Sequence, residues 1–133
     1  MKIPSEIMEK VQKAGLVPEG DYELVINAVD ARPTNKGNSY RIVIDFSIQS
    51  KKYPDSVVKT VFTVSNPDKP EAERISCIFF KKMLISSGLQ ENTPKEEFDT
   101  DILIGRKVKA HIVIDTANEN YPACNRVKYF LNS

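Results

Sequence analysis

The sequence contains one histidine, His111, and only two cysteines, Cys77 and Cys124. A lone histidine cannot build a zinc site or a catalytic triad without partners, and the two cysteines lack the spacing of metal ligands. Cys77 stands among apolar residues of a predicted helix, where we expect a small buried side chain. The sequence therefore predicts no metal, no cofactor and no disulfide.

Long apolar runs and catalytic motifs are also missing. No run approaches the roughly 20 apolar residues that cross a bilayer, so we expect no membrane partner. The N-terminus has no apolar core of a secretory signal, which predicts residence in the cytoplasm. The phosphate-binding loop, the dinucleotide-binding glycine motif and the nucleophile elbow are absent, and we therefore expect no enzyme activity and no catalytic residues.

The 133 residues are enough for one domain with a core, and their net charge of +1 is unevenly distributed. Residues 106–133 hold five basic and two acidic residues, whereas residues 66–105 hold eight acidic and five basic ones. A local basic patch can attract phosphate even when the total charge is small. The C-terminal part of the chain is therefore the better place to look for a polyanion site.

The clearest structural pattern lies between Tyr40 and Ile48, where apolar residues alternate with mostly polar ones. This period of two is typical of a strand with one buried face. Similar patterns predict strands over residues 22–31, 57–64, 106–115 and 125–131. Helical spacing predicts a short helix over 5–14 and a second one that begins after Pro67 and Pro70 and ends at Gly88.

This order of elements favours a mainly β fold, a five-stranded Greek-key barrel of the OB type with a helix between the third and fourth strands. We expect residues 1–19 to form a helical segment packed on a barrel of residues 20–133. An open α+β sheet could use the same elements.

The alternation also predicts which side chains face the core. In the first strand these are Tyr22, Leu24, Ile26 and Ala28, and in the fifth they are Val127, Tyr129 and Leu131. In the second helix, helical spacing predicts the set Ile75, Ile78, Phe79, Met83 and Leu84. Phe130 falls on the outer face in this scheme. It would then be a stacking platform, a contact for the first helix or part of an oligomer interface.

OB barrels bind oligonucleotides or oligosaccharides across strands two and three and under the loops at residues 32–39 and 116–122. A single-strand binder needs cations for phosphates and aromatic rings for bases. The residues that match this need and have outward or loop positions are Arg32, Lys36, Tyr40, Arg41, Lys59, Tyr121, Arg126 and Lys128. Each of these cations could equally belong to an ordinary solvated surface. Tyr40 lies in phase with the core residues of its strand, which predicts a packed ring. Asp45 projects from the proposed binding face and would repel phosphate.

Four valines, Val25, Val43, Val61 and Val113, share the outward parity near the strand centres. Such a stripe needs a cover or a partner. Two alternatives compete for it: the N-terminal helix with its apolar residues, or self-association into a homo-oligomer.

Short motifs of the chain resemble those of a phage and prophage family of small single-stranded-DNA-binding-like proteins, long catalogued as a domain of unknown function. These motifs are Gly-Asp-Tyr-Glu-Leu-Val-Ile at 20–26, Thr-Asn-Lys-Gly-Asn at 34–38, Asn-Pro at 66–67, Leu-Ile-Gly-Arg-Lys-Val at 103–108 and Asn-Arg-Val-Lys-Tyr-Phe-Leu at 125–131. The resemblance implies an OB-like fold and single-stranded DNA binding in phage replication or recombination, in the host cytoplasm and beside other replication or recombination proteins. The alternative is a phage protein-interaction module that has no nucleic-acid ligand.

Overall fold

The computed structural model of the chain describes residues 1–34, 38–89, 99–116 and 122–131. These residues form a mainly β fold with five strands and two α-helices, as the sequence predicts, and a short 3₁₀ turn at Thr100–Leu103. The elements in chain order are α1 (Ser5–Lys13), β1 (Gly20–Pro33), β2 (Tyr40–Gln49), β3 (Val57–Ser65), α2 (Pro70–Ser86), β4 (Lys107–Asp115) and β5 (Cys124–Leu131).

The five strands form one antiparallel sheet in the order β3-β2-β1-β4-β5. The sheet ends at β3 and β5, yet these two edge strands approach each other, and α2 packs against both of them. The sheet is therefore curved into an open, barrel-like shape, with α2 next to the gap.

The core lies inside this curve and follows from the alternation along the strands. Its fully buried members include Leu24, Ile26, Ile44, Phe46, Phe62, Met83, Leu103 and Ile112. An aromatic cluster joins the sheet to α2, because the ring of Phe62 lies 5.3 Å from that of Phe79 and 5.1 Å from that of Phe80. Such tilted and edge-to-face pairs add to the stabilisation that burial alone provides.

A β-bulge in β1 reverses the predicted faces of its second half. The register with β2 shifts between Ile26 and Ala28, so that one extra residue enters β1. Ala28, predicted inward, is exposed, while Val29 and Ala31 pack against the core. An inserted residue moves every following side chain to the opposite face, because side chains alternate with period two.

A second bulge makes the predicted faces of β5 wrong in the same way. The register with β4 shifts between His111, which pairs with Tyr129, and Ile112, which pairs with Val127. Phe130 is consequently buried, with 8% of its surface exposed, and Tyr129 is 43% exposed. None of the three outward roles considered for Phe130 applies, because its ring lies 4.9 Å from Phe79 and 6.0 Å from Phe46.

The packed face of α2 also differs from the predicted one. Phe79, Met83 and Leu84 pack on the core, as expected, and so does Phe80, which the predicted pattern did not include. Ile75 and Ile78, predicted to share that face, are 62% and 41% exposed. Because the helix turns by about 100° per residue, Ile75 and Ile78 lie on a different side of α2 from Phe80 and Leu84, which dock on the sheet.

Cys77 is exposed, contrary to the prediction of a buried side chain, and so is Cys124; both are free thiols. The Cys77 thiol donates a hydrogen bond to the carbonyl oxygen of Val64 at 3.3 Å. Partial desolvation of the sulfur, and then the charge of Glu73, raise the pKa of this thiol. Cys77 is therefore a weak nucleophile at neutral pH despite its exposure.

Helix α1 keeps its apolar residues Ile7, Met8 and Val11 exposed, and it ends before Gly15, whose φ is +85°. The segment after it is anchored by Asn125, whose side chain exchanges two 3.0 Å hydrogen bonds with the backbone of Val17. No described helix has the length and apolar character needed to cross a membrane. The division into residues 1–19 and 20–133 stays a prediction.

Candidate functional site

A groove of about 470 Å³ lies where β3, α2 and β5 meet, at the gap in the sheet. Its lining combines apolar and basic side chains: Lys59, Thr60, Val61, Ile75, Ile78, Phe79, Lys82, Arg126, Val127, Lys128 and Tyr129. The groove exists because β3 and β5 approach each other without joining in one ladder. Residues far apart in the chain thus share one surface.

Four cations surround the groove: Lys59 on β3, Lys82 on α2, and Arg126 and Lys128 on β5. Three of them, Lys59, Arg126 and Lys128, belong to the site predicted from the sequence. Lys82 was missed, because helical spacing alone does not tell which side of α2 borders the gap.

Two of these cations have acidic neighbours on the adjacent strand. The Lys59 ammonium lies 3.8 Å from an Asp45 carboxylate oxygen, and the Arg126 Nε donates to both Asp115 oxygens at 3.1 and 2.8 Å. All four side chains are about half exposed, so each ion pair is worth only about 0–1 kcal/mol. Lys82 and Lys128 pair with no carboxylate in the part of the chain that the structure describes.

Tyr129 supplies an exposed aromatic ring at the groove. It stacks on the imidazole of His111 with ring centroids 5.0 Å apart and an interplanar angle of 8°. The His111 Nδ1 is hydrogen-bonded to an Asp21 carboxylate oxygen at 2.7 Å, which fixes the imidazole on the sheet surface. Simple alternation placed Tyr129 in the core, because the bulge in β5 appears only in the pairing with β4.

Arg32 and Arg41 form a second basic group on the same outer surface of the sheet. They are register partners on β1 and β2, and Arg41 also pairs with Thr63 on β3. Arg41 lies four residues from Asp45, the register partner of Lys59, which corresponds to about 13 Å along the strand. Along the strands, this pair therefore lies about 13 Å from the position of Lys59.

Arg32 is tied to its own strand. Its Nε donates to Asp30 Oδ1 at 3.0 Å, and this hydrogen bond, followed by the charge of Asp30, raises the pKa of the Arg32 guanidinium. The Arg32 side chain is therefore a permanent cation whose charge is partly neutralised by Asp30.

Tyr40 is 39% exposed, so the prediction of a packed ring is wrong. The β2–β3 register shifts between Tyr40 and Arg41, and this irregularity breaks the alternation at the start of β2. Lys36 and Tyr121, the remaining predicted site residues, lie outside the described residues.

The valine stripe is only partly free. Val61 is 48% exposed and lines the groove, Val25 and Val43 are half-buried, and Val113 is buried. The outward parity predicted for Val113 holds, since its register partner is Arg126. The exposed part of the stripe therefore belongs to the groove.

Thr60 is a buried polar residue at the same place, and its hydroxyl has no hydrogen-bond partner within the described chain. The described residues contain no cluster of three or more histidine, cysteine or acidic side chains that could hold a metal ion. The lining of the groove itself is cationic and apolar.

The sequence matches one known protein family over most of its length. Residues 7–132 match the family described as "Protein of unknown function (DUF669)". The chain belongs to this DUF669 family. The match extends from within α1 to the end of β5, so every element that forms the groove lies inside the DUF669 region. No curated protein matches the sequence.

Proposed function

We propose that this protein is a non-catalytic OB-type barrel that binds single-stranded DNA with little sequence preference, in phage-type replication or recombination. The strand order supports the barrel, because joining β3 to β5 would close the five strands into a ring. A five-stranded, partly open Greek-key barrel of this kind binds oligonucleotides across its second and third strands.

The groove is the observation that carries the proposal. Lys59, Lys82, Arg126 and Lys128 surround it, and Tyr129 presents an aromatic ring beside them. Single-strand binders without sequence preference combine these two features, since cations follow the phosphates and aromatic rings stack with any base.

The electrostatics point to modest affinity. Asp45 and Asp115 compete with phosphate for Lys59 and Arg126, although these exposed ion pairs are weak enough to exchange. The net charge of +1 adds little long-range attraction. We therefore expect binding that is readily observed at low salt and is lost as salt rises.

The test is a titration of a fluorescent oligonucleotide of about 30 bases, longer than the roughly 4–16 nucleotides that one OB domain covers. If four phosphates pair with the groove cations, log affinity falls with log salt with a slope of about −2.8. Between 50 and 200 mM salt this slope corresponds to an affinity loss of about 50-fold. The matching duplex should bind more weakly.

Variants assign the binding to the groove. Arg126→Ala and Lys128→Ala should each reduce the slope by about 0.7, because each removes one phosphate contact. Tyr129→Ala should weaken binding by about 1–3 kcal/mol with the slope retained, since stacking does not depend on salt. Lys10→Ala, on exposed α1, is the control and should leave both affinity and slope unchanged.

Absence of binding at low salt would refute the proposal and favour a protein-interaction module without a nucleic-acid ligand. Binding that is equally weakened by Lys10→Ala and Arg126→Ala would place the contact elsewhere.

A further inference from the structure

One side of α2 carries an exposed stripe that the groove uses only in part. We call it the α2 stripe; its members are Glu71, Ile75, Ile78, Lys82 and Ile85. They follow one another at intervals of four, three, four and three residues. This spacing is that of the contact positions in paired helices. All five residues are exposed, and the three isoleucines retain 62%, 41% and 37% of their surface.

The α2 stripe is turned away from the core, since Phe79, Phe80, Met83 and Leu84 occupy the packed side of the helix. Three large exposed apolar residues aligned on one helix mark an interaction surface more often than isolated ones do. The two charged members, Glu71 and Lys82, have opposite signs and flank the pair Ile75 and Ile78. The stripe is therefore self-complementary.

We propose that the α2 stripe is a homotypic contact, on which a second copy of this chain lays its own α2 in antiparallel orientation. In this orientation Ile75 faces Ile78 of the second copy, and Glu71 faces Lys82 of the second copy, twice by symmetry. A parallel pair would instead place Glu71 against Glu71 and Lys82 against Lys82. Charge complementarity thus favours a second copy of this chain as the partner, with its α2 in antiparallel orientation.

The contact is small and therefore weak. The 17 residues of α2 span about 25 Å, which limits the buried area to less than that of a stable interface. Arg74 and Lys81, on one flank of the stripe, would lie near Lys81 and Arg74 of the second copy and oppose association. We expect half of the chains to be dimeric at about 100 µM.

The proposal does not rest on DNA binding, because the contact needs no ligand. It does involve the groove, since Lys82, Ile75 and Ile78 line both surfaces. A second copy and a phosphate would compete for Lys82.

Sedimentation of the full chain from about 5 to about 500 µM tests the contact, since this range brackets the expected midpoint. The mass should rise with concentration from 15.0 kDa towards twice that value. Glu71→Lys and Lys82→Glu should each weaken the dimer about tenfold or more, because each places like charges together. An equimolar mixture of the two variants should restore it, because one chain then carries lysine at both positions and the other carries glutamate at both, so that opposite charges face each other twice.

A pair of isoleucine variants provides the matched control. Ile75→Asp should abolish the dimer, whereas Ile104→Asp, at an isoleucine that is 46% exposed outside α2, should leave it intact. A chain that stays monomeric throughout would overturn the proposal, and so would a mixture of the charge variants that fails to associate. A dimer that survives Ile75→Asp would overturn it as well, because another surface would then join the copies.

Discussion

Replacing Phe130 with alanine should lower the free energy of unfolding by about 3–5 kcal/mol, the usual cost of deleting a buried phenyl ring. The ring is 8% exposed, and its centroid lies 4.9, 6.0 and 6.4 Å from those of Phe79, Phe46 and Phe62. Its loss would open a cavity between β5, the sheet and α2. Since a domain of this size has about 5–15 kcal/mol of stability in total, the upper end of this loss is about a third of the larger value and the whole of the smaller one.

The neighbouring residue gives the control. Tyr129→Ala removes a ring of similar size that is 43% exposed and that contacts His111 at the surface, so we expect a loss of no more than about 1 kcal/mol. Urea denaturation followed by circular dichroism measures both variants, and the slope against urea should stay constant. If Tyr129→Ala were the more destabilising of the two, β5 would have no bulge and the simple alternation would be correct.

Three further predictions concern stability. Asn125→Ala should cost about 2–4 kcal/mol, because it leaves the buried backbone N–H and C=O of Val17 without their partner. Thr60→Val should raise stability by about 1–2 kcal/mol, since it replaces a buried hydroxyl that lacks a partner among the described residues with a methyl group of the same shape. Gly105→Ala should cost about 1 kcal/mol, because the φ of +86° is strained for alanine although the space around it is open.

Each of these has a matched control in the same urea experiment. Asn27→Ala removes an exposed hydrogen bond to Ser47 and should change stability by less than about 0.5 kcal/mol. Thr63→Val, on the same strand as Thr60 but partly exposed, should have a smaller effect than Thr60→Val. Gly20→Ala, at a residue with ordinary φ where the added Cβ would lie in ordinary contact 3.7 Å from the Tyr22 ring, should be neutral or stabilising by about 0.4–1 kcal/mol. If a control variant changed the free energy of unfolding more than the variant it is matched with, the structural reason given for that variant would be wrong.

The strands were predictable because their burial follows directly from the local sequence. In β2 the residues Ile42, Ile44, Phe46 and Ile48 alternate without interruption, and the structure buries all four. The faces of β1 and β5 were predictable only up to their bulges. A bulge depends on how the partner strand pairs, and Ile26 or Val127 carries no local mark that the next residue will be extra.

The site was predictable in part for a related reason. The alternation along the strands predicted that Lys59, Arg126 and Lys128 point outward, but not that they lie close together. Strands β3 and β5 are distant in the sequence and approach each other only in the folded sheet. Lys82 depends on which side of α2 packs on the sheet, and Tyr129 depends on the bulge. Both residues therefore needed the three-dimensional structure.

The proposed binding site is tested most directly by titrating the ¹⁵N-labelled protein with unlabelled oligothymidine at low salt and following the backbone amide signals. We expect the largest shifts on the residues around the groove, with Lys59, Lys82, Lys128 and Tyr129 among them, and we expect these shifts to reverse when salt is added. Signals that stay unchanged, or changes confined to α1 and the β2–β3 turn, would contradict it.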